Sequence, residues 1–139
     1  MTRDHDYEKD CLDHIIYKAG MRGPGADLYQ RRVMQRLVEG GEEYGDDNFW
    51  KIGFDEVVRQ AREESEDICA WLLGALQVLK DSVNDEGFPP EQANHIANLL
   101  IEAAMKGVEA FQVLETARSV WRDNGGETVE RKRGQSQAA

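Results

Sequence analysis

Apolar residues recur along this chain every three to four positions and almost never alternate. That period is helical. Tyr7, Cys11, Leu12, Ile15 and Ile16 share one face of a helix predicted from about Asp6 to Lys18. The run GMRGPG then breaks it, because Gly and Pro both disfavour helix interiors. A second helix begins near Ala26, turns Leu28, Val33, Met34, Leu37 and Val38 inward, and reaches about Tyr44. Its pair Gly40-Gly41 either ends the helix or admits another backbone, each mid-helix Gly costing about 1 kcal/mol relative to Ala. The aromatic-rich stretch YGDDNFWKIGF, Tyr44 to Phe54, reads as a packed loop or a short helical turn.

A third helix is predicted from about Phe54 to Val83. NDEGFPP follows as a connection, and Pro90 is suited to the first turn of a fourth helix. That helix runs to about Trp121 with the stripe Ile96, Leu100, Ala103, Ala104, Val108, Phe111, Leu114 and Val120, and with Gly107 as a candidate bend. There is no alternating β-branched run and no Asn-Gly hairpin signal. The expected fold is all-α and four-helix bundle-like, completed by oligomerisation. A single helical domain over residues 1–122 and a flexible tail over 123–139 are expected, since the tail has little to bury.

Charge narrows the partners. The chain of 139 residues has a formal net charge of -10. Such a surface repels phosphates and anionic membranes, which argues against direct nucleic-acid binding. It suits divalent cations, basic partners or imitation of DNA. Cys11 and Cys69 sit in helical patterns with no zinc-like spacing and read as buried free thiols. The charged N-terminus has no apolar segment of a secretory signal, and no apolar run nears the roughly 20 residues of a membrane span. A cytoplasmic location is expected.

The acids of EESEDICAW, Glu63 to Trp71, carry the candidate chemistry. Val57, Ala61, Glu64, Ile68, Trp71, Ala75 and Val78 form one stripe in which Glu64 is the only charge. A carboxylate buried there would have to be protonated, paired or metal-bound. Asp67 lies three residues on and Glu63 four residues before Asp67, so these like charges repel unless a cation joins them. Mg²⁺ favours such hard oxygen ligands. On the second helix Glu39, Glu42 and Glu43 share a face, and antiparallel packing would set the two clusters opposite each other. A charge run on a helix is also an ordinary solvated face.

EGGEE (Glu39 to Glu43) and ESED (Glu64 to Asp67) together resemble the paired EExxE and ExxD motifs of the MazG-like all-α nucleoside triphosphate pyrophosphatases. The segment EGGEEYGDDNF…EESEDICAW is similar to small members of that family often found in phages. The resemblance covers roughly residues 28 to 80. It implies Mg²⁺, or Mn²⁺, held by Glu39, Glu42, Glu43, Glu64 and Asp67. It implies hydrolysis of a nucleotide substrate, an NTP or dNTP, to the monophosphate and pyrophosphate, with Glu64 and Glu63 acting on the attacking water. Basic or amide residues of a later helix would meet the phosphates, here Asn94, His95, Asn98 or Lys106. Trp71, like Tyr44, Phe49 and Trp50, could stack on the base, although such aromatics are commonly core. The first motif departs from the pattern: ending it at Glu42 puts Val38 in its first position, and ending it at Glu43 puts Gly40 in its second.

Three readings follow: a Mg²⁺-dependent pyrophosphohydrolase assembled as a homo-oligomer, a catalytically degenerate acidic helical protein that docks on or inhibits a host protein partner, and a structural helical subunit without a ligand.

Overall fold

The computed structural model describes residues 4–44 and 47–128, and for 41–50 it describes no side chains. Four helices follow one another: α1 (His5–Lys18), α2 (Pro24–Tyr44), α3 (Asp47–Glu86) and α4 (Pro90–Asp123). The fold is all-α, with no strand among the described residues. No described helix is long and apolar enough to cross a membrane. The chain divides into two compact units, Met1–Ile52 and Gly53–Ala139.

In the first unit Asp4 caps α1, its carboxylate accepting from the backbone N–H of Tyr7 at 3.0 Å. Such a cap satisfies one of the free amides of the first turn. Gly20 and Gly23, with φ of 75° and 74°, make the turn that GMRGPG predicts. Leu12 and Ala26 are buried, and the Gln30 amide donates to Asp13 at 2.5 Å between the two helices. Of the expected α1 face, Tyr7 and Ile15 are exposed. Helix α2 runs through Gly40-Gly41 without ending. The aromatic stretch is helical over residues 47–52 and breaks at Gly53, whose φ of 81° and ψ of 171° only glycine adopts readily.

The second unit is an antiparallel hairpin of α3 beyond Gly53 against α4. Its turn is a glycine C-cap: Gly87 has a φ of 72°, and the Phe88 N–H donates to the Ser82 carbonyl at 3.0 Å. Pro90 then occupies the first turn of α4. The helices come close where Gly107 is buried, because a methyl group there would stand 3.4 Å from the Ser65 carbonyl oxygen. Gly107→Ala should leave stability within about 1 kcal/mol, the gain in helix propensity offsetting the tight contact. Gly107→Leu should cost about 1–3 kcal/mol by forcing the helices apart. Urea unfolding followed by circular dichroism measures both.

The open end of the hairpin is held by charge and aromatic contact. Arg118 donates from Nε to Asp55 Oδ1 at 2.8 Å and from Nη2 to Asp55 Oδ2 at 3.3 Å. Its Nη1 reaches Glu115 at 3.1 Å, and Arg62 Nη1 reaches the same oxygen at 3.1 Å. The Arg62 guanidinium also lies 5.6 Å from the centre of the Phe111 ring. Phe54 and Trp121 pack at 4.5 Å between ring centres. Beyond α4 the chain folds back: Trp121 Nε1 donates to the Glu127 carbonyl at 2.7 Å, and Thr128 is buried. Residues 129–139 lie outside the described residues.

The stripe expected to pack inward on α3 is not the one that meets α4. Ile68 is 49% exposed, Trp71 80% and Val78 65%. Ser65, Cys69, Leu72, Leu76, Leu79 and Val83, together with Arg62, form the packed row instead. The rotation follows from size and charge. Ser65 lets Gly107 approach, and Asp55 and Arg62 bring that face to Arg118 and Glu115. Glu64 is therefore exposed rather than buried. Both cysteines are free, and half-buried rather than buried.

Candidate functional site

The acids on α3 fall into two sets with different partners. Glu56 accepts two hydrogen bonds from Arg59, at 2.8 and 2.6 Å, and Glu63 pairs with the same guanidinium. Hydrogen bonding to Glu56 holds the Arg59 pKa above the usual arginine range, so this cation stays charged at any physiological pH. Glu66 lies 3.7 Å from Arg62 Nε. Glu64 and Asp67 are exposed, and neither has a hydrogen bond or ion pair among the described residues. They lie three residues apart, which on a helix brings their Cβ atoms within roughly 5–6 Å. Two neighbouring, uncompensated carboxylates are the chemistry a hard cation needs. Glu63, expected to share the water chemistry with Glu64, is already paired with Arg59, which it shares with Glu56.

Of the four residues expected to contact substrate, Lys106 and Trp71 share the Glu64 flank. Ser65 faces Gly107 across the hairpin. One step forward along each helix, Glu66 and Val108 line the same groove. One step back turns to the opposite flank, and there stand Glu64 and Lys106, both exposed. Trp71 is seven residues from Glu64, two turns along this flank and about 10 Å away. Asn94 is elsewhere. It lines a second groove with Lys80, Asn84 and Pro90 near the closed end of the hairpin. That level is more than about 20 Å from Glu64 along α3. Asn98, one turn from Asn94, is exposed, as is His95.

The first motif lies mostly out of view. Glu39 is exposed and accepts a bond from Gln35 at 2.8 Å. The side chains of Glu42 and Glu43, with those of Tyr44, Phe49 and Trp50, lie outside the described residues. Among the described residues no three His, Cys, Asp or Glu side chains gather as a metal centre. Mg²⁺ is commonly held by one or two carboxylates, with waters and substrate phosphates completing its shell. Glu64 and Asp67 fit that smaller requirement.

No protein-family model, curated protein or solved structure matches the chain. The functional reading therefore rests on this flank. That Lys106 stands on the same flank as Glu64 is not readable from the sequence, because only the Ser65–Gly107 register aligns the two. The signal available in the sequence was Gly107, a mid-helix glycine that calls for a close helix contact.

Proposed function

We propose that this chain is a Mg²⁺-dependent nucleoside triphosphate pyrophosphohydrolase that acts as a homo-oligomer. The observation that carries the reading is the pairing on α3: Glu56, Glu63 and Glu66 have arginine partners, whereas Glu64 and Asp67 have none among the described residues. When bound, Mg²⁺ or Mn²⁺ neutralises phosphate charge and favours attack by water. Glu64 and Asp67 would hold it. Lys106 binds phosphate oxygens from the same flank as Glu64. Trp71, 80% exposed, offers a face to the nucleobase. With the metal bound, the Glu64 oxygen that does not ligate it would accept the proton of the attacking water.

Exposed Trp71 and Ile68 beside an acidic flank also favour a second reading, in which the surface docks a host protein and catalysis is absent. Melting temperature separates the two. Binding to the folded state alone at ten times the dissociation constant adds about 1.4 kcal/mol. Millimolar Mg²⁺ or Mn²⁺ should therefore raise the wild-type melting temperature by several degrees and leave Glu64→Gln unmoved. Without metal, Glu64→Gln should be equal to wild type or more stable by a few tenths of a kcal/mol, because one repulsion with Asp67 is gone. A wild type indifferent to both metals would favour the docking reading.

A further inference from the structure

The flank opposite Glu64 is an open apolar groove with a two-fold pattern of charge. Ser65, Glu66, Cys69, Leu73, Val108 and Phe111 are among its lining residues, and its volume is 440 Å³. A second groove of 310 Å³ continues it toward the turn, bounded by Leu76, Lys80 and Asn94. The two are on one face, because Glu66, Leu73 and Lys80 recur at seven-residue spacing on α3, as do Asn94, Ile101 and Val108 on α4. Leu73 is 60% exposed, Ile101 46%, Met105 59% and Val108 53%. From Ser65 to Asn84 the face is about 30 Å long and two helices, about 20 Å, wide. Its footprint of about 600 Å² per copy reaches the size of a small specific interface.

We infer that a second copy of this chain covers this face, with α3 antiparallel to the partner's α3 and a two-fold axis passing beside Leu73. The charges select that occupant. Glu66 and Lys80 stand seven residues either side of Leu73, so a two-fold axis at Leu73 brings each Glu66 opposite a Lys80 of the other copy. An isologous interface makes every such contact twice. The same operation sets Ile101 against its own copy and Val108 against Asn94. The groove face thus brings opposite charges together in a protein whose net charge of -10 would otherwise keep copies apart. The inference deepens the homo-oligomer reading and needs none of the nucleotide chemistry.

Sedimentation equilibrium of the full chain tests it. Wild type should sediment at twice the mass of the chain, and Leu73→Glu at the mass of one chain with its helical circular dichroism unchanged. Glu66→Lys and Lys80→Glu should each raise the dissociation constant about tenfold or more, since each turns two attractions into two repulsions. The double variant should return it to within about threefold of wild type. A monomeric wild type would overturn both this interface and the homo-oligomer reading. An oligomer unmoved by Leu73→Glu, or weakened by both single swaps without rescue in the double variant, would overturn the proposed face and register while leaving self-association standing.

Discussion

Arg118→Ala should lower stability by about 3–5 kcal/mol, the range for removing one partner of a buried ion pair. Asp55 is 4% exposed, and the Arg118 side chain 13%. The variant deletes both guanidinium bonds to that carboxylate and one of the two arginine contacts to Glu115. Arg118→Lys should recover only part, because an ammonium cannot make the paired bonds. Adding Asp55→Asn to Arg118→Ala should also recover part, since a neutral amide is cheaper to bury than a carboxylate. Urea titration at neutral pH measures all four proteins. A loss below about 1 kcal/mol in Arg118→Ala would show that solvent already screens the pair.

The same network sets an acid dependence. Burial raises the Glu115 pKa, but the hydrogen bonds from Arg62 and Arg118 outweigh it, and the net shift is downward. A carboxyl whose folded pKa lies below its unfolded one adds stability above the unfolded value, about 4.3 for Glu. That stability is lost as pH falls through the folded value. Glu115→Gln should therefore show a shallower loss of stability below about pH 4.3 than wild type.

The second large effect is catalytic. In a screen of nucleoside triphosphates with Mg²⁺, Glu64→Gln should reduce turnover about a thousandfold, or about 4 kcal/mol of transition-state stabilisation. The substitution keeps the shape of an exposed side chain, so the fold should be untouched. Asp67→Asn should lose a similar amount, chiefly as weaker metal dependence. Glu63→Gln should lose less than tenfold, because Arg59 already occupies that carboxylate. Equal losses in Glu63→Gln and Glu64→Gln would mean that the arginine pairing does not mark out the working acids. Retained turnover in Glu64→Gln would remove the proposed site altogether.

Periodicity and punctuation made the helices legible. Lys18, Gly20 and Gly23 mark the end of α1 and the turn after it, and Pro90 marks the start of α4. Each is a local effect of backbone geometry. The face of α3 was not legible, because that helix has two interleaved apolar rows. One contains Val57, Ile68, Trp71 and Val78. The other contains Ser65, Cys69, Leu72, Leu76 and Leu79. Hydrophobic spacing cannot choose between them. The choice is made across the hairpin, by Gly107 meeting Ser65 and by Arg118 meeting Asp55, and neither contact exists within a local window. For the candidate site, the residue types and the spacing of Glu64 and Asp67 were readable. Their lack of a cation partner among the described residues was not, because it depends on which arginine rotamers reach Glu56, Glu63 and Glu66.

The break at Gly53 has an electrostatic consequence for the hairpin it opens. It starts a new helix at Phe54, and with it a new positive dipole end of about half a charge. Asp55 and Glu56 fall in that first turn. Across the hairpin, α4 brings its negative dipole end to the same place, with Arg118 and Arg122 in its last turns. Each backbone dipole thus meets side chains of the opposite sign, and the two dipoles also oppose each other. The far end, around Leu79, Val83 and Ala93, is joined by apolar contact and the turn. Because Asp55 is buried and Arg118 largely so, added salt screens this mouth far less than it would a surface ion pair.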